Sequence, residues 1–274
     1  MGVPGRSPVC DWQGNTTSSA EAAMPYGLYI SAEGAQAQST RLDVIANNLA
    51  NVDTVGFKRE LAVCQARYAE AITEGLKMPD SGGIDDVGGG VMVRQTVTEF
   101  SPGPLQQTNN RTDVAIKGNG FFLVRNGEET FLTRAGNFRV ATDGRLTTQQ
   151  GYEVLDQDGV SIAVNPADPT WAITSEGAVR GRGTSQNLAL VRPVSPGDLV
   201  RVGENLFRPL TQPQPVPSTA RAVVPGCLEK SAVRPTSEMT EMIQASRALE
   251  ANVNMMKTQD EMLGGLINRL MRVR

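Results

Sequence analysis

Apolar residues recur every seven positions near both ends of the chain and alternate with polar ones between, so the pattern divides it into helical ends and a β-rich middle. Leu28, Ala35, Leu42 and Leu49 keep the seven-residue spacing, with Ile45 at an intervening seam position. Asn51, Asp53, Thr54 and Gly56 supply stop signals, so the spacing predicts a helix from Leu28 to Val52 that ends before Phe57. Towards the C-terminus Met242, Leu249, Met256, Leu263 and Leu270 keep the same period, with Ala245, Val253 and Ile267 on or beside the seam. Ser237, Glu238, Met239 and Thr240 read as a helix start with an acidic first turn. Heptad stretches this short rarely hold an isolated helix, which predicts that the two termini pair as an antiparallel coiled coil with their outer faces left for neighbouring molecules. An ordinary intramolecular helix pair fits the same spacing.

After a Gly-rich segment at 81–90, residues 91–224 alternate apolar and polar positions and are cut by Asn126-Gly127, Asp143-Gly144, Asp158-Gly159 and Glu176-Gly177. This predicts an all-β middle domain with Val114, Ile116, Phe121, Phe122, Val124, Phe131, Phe138, Leu146, Tyr152 and Val154 in its core. Pro209, Pro213, Pro215 and Pro217 mark its exit. Residues 1–23 are rich in Gly, Pro, Ser and Thr without a hydrophobic period and read as a disordered leader ahead of a second start at Met24. The expected class is α+β: leader 1–23, N-terminal helix 24–56, connector 57–90, β-rich domain 91–224, then linker and C-terminal helix 225–274.

Composition narrows the chemistry. A chain of 274 residues with a formal charge of -3 and interspersed signs offers no basic field for nucleic acid. The absence of histidine removes the commonest general base and transition-metal ligand. Cys10, Cys64 and Cys227 form neither a metal pair nor a disulfide framework. Apolar runs stay short of the roughly 18–20 residues a membrane span needs, and the N-terminus lacks a secretory apolar core. Gly118-Asn119-Gly120 lacks the continuation of a phosphate loop and reads as a β-turn. Asp85-Asp86 lacks calcium-loop spacing, and Glu128-Glu129 and Asp156 with Asp158 sit among turn residues. These readings lead to no catalytic residue, cofactor, metal or small-molecule substrate. Asn47, Asn48 and Asn51 are poor helix formers, and two readings stand level: a helix-end effect, or amides that fix helix register between subunits.

Four blocks then carry a family resemblance. LYISAEGAQAQSTRLDVIANNLANVDTVGFKR at residues 28–59 resembles the N-terminal signature of flagellar rod and hook proteins. DVAIKGNGFFLV at 113–124, TRAGNFRVATDGRL at 133–146 and EMTEMIQASRALEAN at 238–252 follow in family order, closed by TQDEMLGGLINRL. Leu42, Ile45, Asn47, Asn48, Leu49, Asn51, Gly56 and Phe57 match the first signature; Met239, Ile243, Arg247, Glu250, Asn252, Asp260, Met262 and Leu263 match the last. The resemblance implies a structural subunit of the basal-body rod, exported by the flagellum's own type III apparatus. In this family the terminal helices form an inner tube spanning the periplasm, with the β-domain outside. The implied partners are other copies, other rod and hook proteins and the export apparatus, with no membrane insertion. The assembly residues are then Leu28, Leu42, Ile45, Asn47, Asn48, Leu49, Asn51, Met242, Ile243, Arg247, Leu249, Glu250, Asn252, Met256, Leu263 and Leu270. Glu33, Ala35, Ala232 and Leu249 depart from the family's usual residues without changing the period. The modest middle domain favours rod over hook, and the block from Thr96 to Gly120 looks closer to distal than to proximal subunits. The rival readings are a hook subunit of the same family and an adhesin-like β-module on a helical stalk.

Overall fold

The computed structural model describes residues 26–68, 88–165, 168 and 170–271, together with positions 72, 75 and 78. The expected leader at 1–23, and Asp85-Asp86 with most of the Gly-rich segment, lie outside them. Two helices flank a mostly antiparallel β region: α1 at Tyr26–Ala50 and α2 at Pro235–Met271. Pro235 suits the first position of α2, where its missing N–H has no intrahelical acceptor to lose, and Glu238 and Arg269 complement the helix dipole at its two ends.

The strands begin with β1 (Glu60–Ala66), β2 (Val91–Thr98), β3 (Leu105–Gln107), β4 (Val114–Ile116), β5 (Phe121–Asn126) and β6 (Glu129–Thr133). They continue with β7 (Arg139–Val140), β8 (Leu146–Thr147), β9 (Glu153–Val154), β10 (Ala172–Ile173), β11 (Ala178–Gly181) and β12 (Thr184–Asn187). The last are β13 (Leu190–Arg192), β14 (Leu199–Gly203), β15 (Leu206–Pro209), β16 (Gln214–Pro215), β17 (Val223–Pro225) and β18 (Cys227–Glu229). One sheet runs β14-β15-β6-β5-β9-β8-β7, with β13 pairing both β5 and β16. β10, β11 and β12 form a smaller meander. The β1–β2 hairpin stands apart and packs against α1.

Val114, Phe122, Val124, Phe138, Leu146 and Val154 are almost fully buried in one apolar cluster, and Trp171, Leu188, Leu190 and Leu206 join it from later in the chain. Tyr152, expected in the core, packs at its margin and donates its hydroxyl to Glu204 at 2.7 Å. On the opposite side of the sheet Phe121, Leu132, Val191 and Phe207 form a second cluster, closed by the edge-on ring of Phe100. The turn glycines behave as the hairpin pattern requires: Gly144 and Gly159 sit at φ +81° and +76°, where a Cβ would be strained.

What positions the helices is the pairing of outgoing with returning chain. β17 lies against β4, with Val223 opposite Ile116 and Pro225 opposite Val114, and β18 lies against β3, with Glu229 opposite Leu105. The chain therefore leaves the β-domain beside the strands on which it came in, which brings residues 56–59 and 229–238 together.

On the sheet's flank, Glu153 accepts from Ser161 Oγ and from Arg125 at 2.8 Å, and from Arg145. The Ser161 hydroxyl, followed by the Arg125 bond, holds its carboxyl at about 2 against an ordinary 4.5. A carboxylate with a depressed folded pKa contributes stability that is complete above the unfolded value and lost as pH falls through the folded one. Thermal unfolding of Glu153→Gln should therefore show a shallower acid loss than the parent between pH 4.5 and about 2; identical acid limbs would contradict this.

Candidate assembly surface and the neck beneath it

The helices run in opposite directions along one line of contact. Gly27 lies under Gln259, Gly34 under Asn252, and Asn48 reaches Glu238. A Cβ on Gly27 would sit 2.8 Å from Gln259 Nε2, and one on Gly34 3.2 Å from Asn252 Nδ2, so the glycines let the partner amides approach. At helical spacing Gly27, Ser31, Gly34, Gln38, Ile45 and Asn48 share this face of α1. Along α2 the facing stripe includes Glu238, Met242, Ala245, Leu249, Asn252, Met256 and Gln259, each buried or half-buried.

The structure distributes the sequence-nominated residues unevenly. Ile45 and Asn48 are buried, while Leu28, Leu42 and Leu49 are half-buried on the flank of the contact line, one position off it. Met242, Leu249, Asn252, Met256 and Leu263 follow the inward stripe of α2. Ile243, Arg247, Glu250 and Leu270 face outward, Asn47 is exposed, and Asn51 is half-exposed at the helix end. α2 runs on from Gln259 to Met271, about 18 Å at the helical rise. Met262, Leu266, Ile267, Leu270 and Met271 on this overhang are 54–74% exposed.

Below the helices sits a neck of buried polar groups. Asn48 accepts from Glu60 N at 2.9 Å and donates to Glu60 O at 2.8 Å, taking the place of a strand beside β1. Its amide nitrogen also lies 3.4 Å from Glu238 Oε2. Arg59 clamps the same corner, donating from Nε to Glu238 at 2.5 Å and from Nη2 to Glu241 at 2.9 Å. Asn51 and Asn47 do helix-end work instead: Asn51 Nδ2 donates to Asn47 O, and Thr54 Oγ1 donates to Asn51 Oδ1.

A second cluster joins this corner to the β-domain. Lys58, Arg134 and Glu229 are all 1–3% exposed. Lys58 Nζ lies 2.6 Å from Glu229 Oε1 and donates to Ser101 O at 2.8 Å. Arg134 reaches Glu229 Oε2 at 3.3 Å and Gly118 O at 2.8 Å, its guanidinium 5.0 Å from the Phe121 ring centroid. Gly103 N also donates to Glu229 Oε1 at 2.9 Å. Burial pushes the Lys58 ammonium below its usual value, opposed by the charge and hydrogen bond of Glu229, and does the same to Arg134. Gly56, at φ +67°, donates to Glu229 O at 2.7 Å, and a Cβ there would fall 2.6 Å from Arg134 C. No other residue fits that position without displacing the neck.

Sequence reading missed Lys58, Arg59, Arg134, Glu229 and Glu238 as functional groups. Lys58 and Arg59 stand inside the quoted N-terminal signature and Glu238 opens the quoted C-terminal one, so the motifs held a signal; Glu229 lies outside every quoted block.

This geometry coincides with similarity to known proteins at three stretches. The family model described as flagella basal body rod protein matches residues 28–58. That of the flagellar hook protein FlgE/F/G D1 domain matches 115–181, and that of the flagellar basal body rod FlgEFG protein C-terminal matches 224–270. The flagellar basal-body rod protein FlgG of Bacillus subtilis is 34% identical over 257 residues, covering 88% of this chain and 97% of that protein. FlgF of Caulobacter vibrioides is also 34% identical over 257 residues, covering 91% and 100%. FlgG of Borreliella burgdorferi is 33% identical over 270 residues, covering 91% and 100%.

Removing one partner of a buried ion pair leaves an uncompensated charge and typically costs about 3–5 kcal/mol. Glu229→Gln, which strips the shared anion from two cations, should destabilise the protein by about that amount and more than Lys58→Met does, because Arg134 and Gly103 still satisfy the carboxylate in the latter. Urea unfolding of both variants checks the order; equal or reversed midpoints would show that Glu229 is not the hub.

Proposed function

The chain belongs to the flagellar basal-body rod protein family, and on that premise we propose that it builds the axial shaft by lateral packing of its paired terminal helices. It is a structural subunit of the rod, located in the flagellar basal body, and its partners are other rod and hook proteins. The matched relatives leave the adhesin reading without support and favour rod over hook. The matched family is one of structural rod proteins.

The observation that carries the assembly reading is the overhang of α2. Beyond Gln259 no described residue of α1 faces it, yet its apolar residues continue at helical spacing. A helix with one apolar face and no partner is stable only when another surface covers it. In the rod that surface is a neighbouring subunit's helix. The inner seam supports this: the side-chain oxygens of Gln38 and Gln259 are buried without a hydrogen-bond partner among the described residues. Such groups cost about 1–3 kcal/mol each, so the helix pair by itself is weakly held.

The outward residues Ile243, Arg247, Glu250 and Leu270, with the flanking leucines of α1, form the lateral surface in this reading. Export proceeds through the flagellum's own apparatus, which suits helices that order only on assembly. The relatives named FlgG and FlgF match at equal identity, and the block at 96–120 favours a distal rod subunit over a proximal one.

Leu263→Asp and Leu270→Asp should each abolish incorporation into basal bodies, with loss of motility, while the purified chain keeps the β-sheet circular dichroism of the parent. Normal rods and swimming in both variants would remove the helices from assembly.

A further inference from the structure

The C-terminal end of α1, the β1–β2 hairpin and the β14–β15 ribbon enclose a cleft of about 930 Å3. Two of its walls are strand edges, formed by residues 95–98 of β2 and 199–203 of β14. Glu99 N donates to Arg59 O at 2.8 Å, and antiparallel alternation then turns the backbone N–H and C=O groups of Thr96 and Thr98 away from β1. Leu210 N donates to Asp198 O at 2.8 Å, and the same alternation turns those of Leu199 and Arg201 away from β15. Among the described residues β2 pairs only with β1, and β14 only with β15. Both edges are therefore open, and both face one cavity.

The other hairpin edge is treated differently. At Glu60 the outward N–H and C=O of β1 are both taken by the Asn48 side chain. A free edge is an invitation to strand pairing, and this chain caps the β1 edge at Glu60 while leaving the β2 edge open on the side of the cleft. Amides line the remaining wall: Asn47, Asn51, Gln95, Asn137, Gln150 and Asn205. Asn205 is 5% exposed; its Nδ2 donates to Val55 O at 2.7 Å, but its Oδ1 is buried with no partner among the described residues. Unpaired backbone edges flanked by amides match the hydrogen-bonding needs of an extended polypeptide.

We infer that this cleft takes an extended segment of a second copy of the chain, hydrogen-bonded to the open edges of β2 and β14. The inference rests on the rod reading, which supplies a neighbouring copy, and adds a contact outside the helices. The chain also carries exposed extended segments of its own to offer: Leu61, Val63, Val91 and Met92 of the hairpin, away from the cleft, are 37–47% exposed. A cleft on one copy that receives a different surface of the next is a heterologous contact, and such contacts propagate as open-ended filaments wherever the rotation between copies does not close into a ring.

The test uses the full chain, mixed half natural and half 15N-labelled before assembly, with a photo-crosslinking residue at Thr96, at Val200 or, as a control, at Leu266. Mass spectrometry then reads whether each crosslink joins chains of different isotope. Mixed-isotope crosslinks from both cleft positions to strand or loop segments are expected. Crosslinks from Thr96 and Val200 confined to one chain, or to α1 and α2 of a neighbour, while Leu266 joins different chains, would overturn the cleft contact and leave the helical reading standing. The absence of mixed crosslinks from all three positions would overturn both.

Discussion

Burying charge is expensive, and this fold buries three at the place where its two halves meet. Lys58, Glu229 and Arg134 come from the chain just past α1, from the last returning strand and from the loop after β6, and their side chains are 1–3% exposed. Apolar residues of similar volume often hold such a site as firmly or more so, so stability is a poor reason for the ion cluster. Geometry is a better one. A guanidinium and an ammonium on one carboxylate accept few alternative arrangements, and the cluster's backbone partners come from two separate segments, Ser101 and Gly103 between β2 and β3 and Gly118 between β4 and β5. With Gly56 pinned to Glu229 O and Ala232 to Phe57 O, the outgoing and returning chains are fixed to each other and to the β-domain. Force applied to the helices has a direct route into the sheet through these contacts.

The helix pair above this neck follows a different principle. Apart from Ile45, its contact line on α1 is made of glycines, serine and amides, where close approach replaces the interlocking of large side chains. That explains how the seven-residue period could be legible while its phase on α1 was not. The period was counted on leucines, and Leu28, Leu42 and Leu49 lie one position beside the seam that Gly27, Ser31 and Gly34 occupy. On α2 the same count found the inward stripe, because Met242, Leu249 and Met256 are both the apolar residues and the facing ones. Element type and extent were readable at both ends, α1 closing at Ala50 and α2 beginning a few residues before its first heptad methionine.

In the β-domain, alternation and turn glycines named the early core, since Phe122 and Leu146 lie in strands and Phe138 directly before one, where the pattern is local. The neck was legible only in part for a physical reason. Glu229 meets Lys58 across 171 positions of sequence, and no local periodicity marks a lone glutamate on a short strand as a counterion. Asn48 shows a related limit. Composition framed it as either a helix-end residue or a register pin between subunits, whereas its amide closes the β1 edge within the molecule, and Asn51 takes the helix-end role. A side chain that imitates a strand is visible only once the strand is in place.

The satisfied and unsatisfied groups of the molecule are then sorted by location. Within the neck each charged side chain has close partners, although Arg134 Nε is buried without one among the described residues, and the apolar clusters of the β-domain are buried. Unfinished features gather elsewhere: the seam with unpaired amide oxygens, the apolar overhang of α2, the open edges of β2 and β14. A lone molecule bears the desolvation and exposure costs of these features, and a neighbour removes several of them at once. Since fixing each residue of a segment costs on the order of 1–2 kcal/mol of backbone entropy, only simultaneous satisfaction of many groups favours the ordered state. A growing filament end presents such a composite surface, and a second free monomer, with the same features unfinished, presents a poorer one. A rigid neck with incomplete flanks is therefore a coherent design for a subunit that should add to an existing shaft in preference to aggregating in solution.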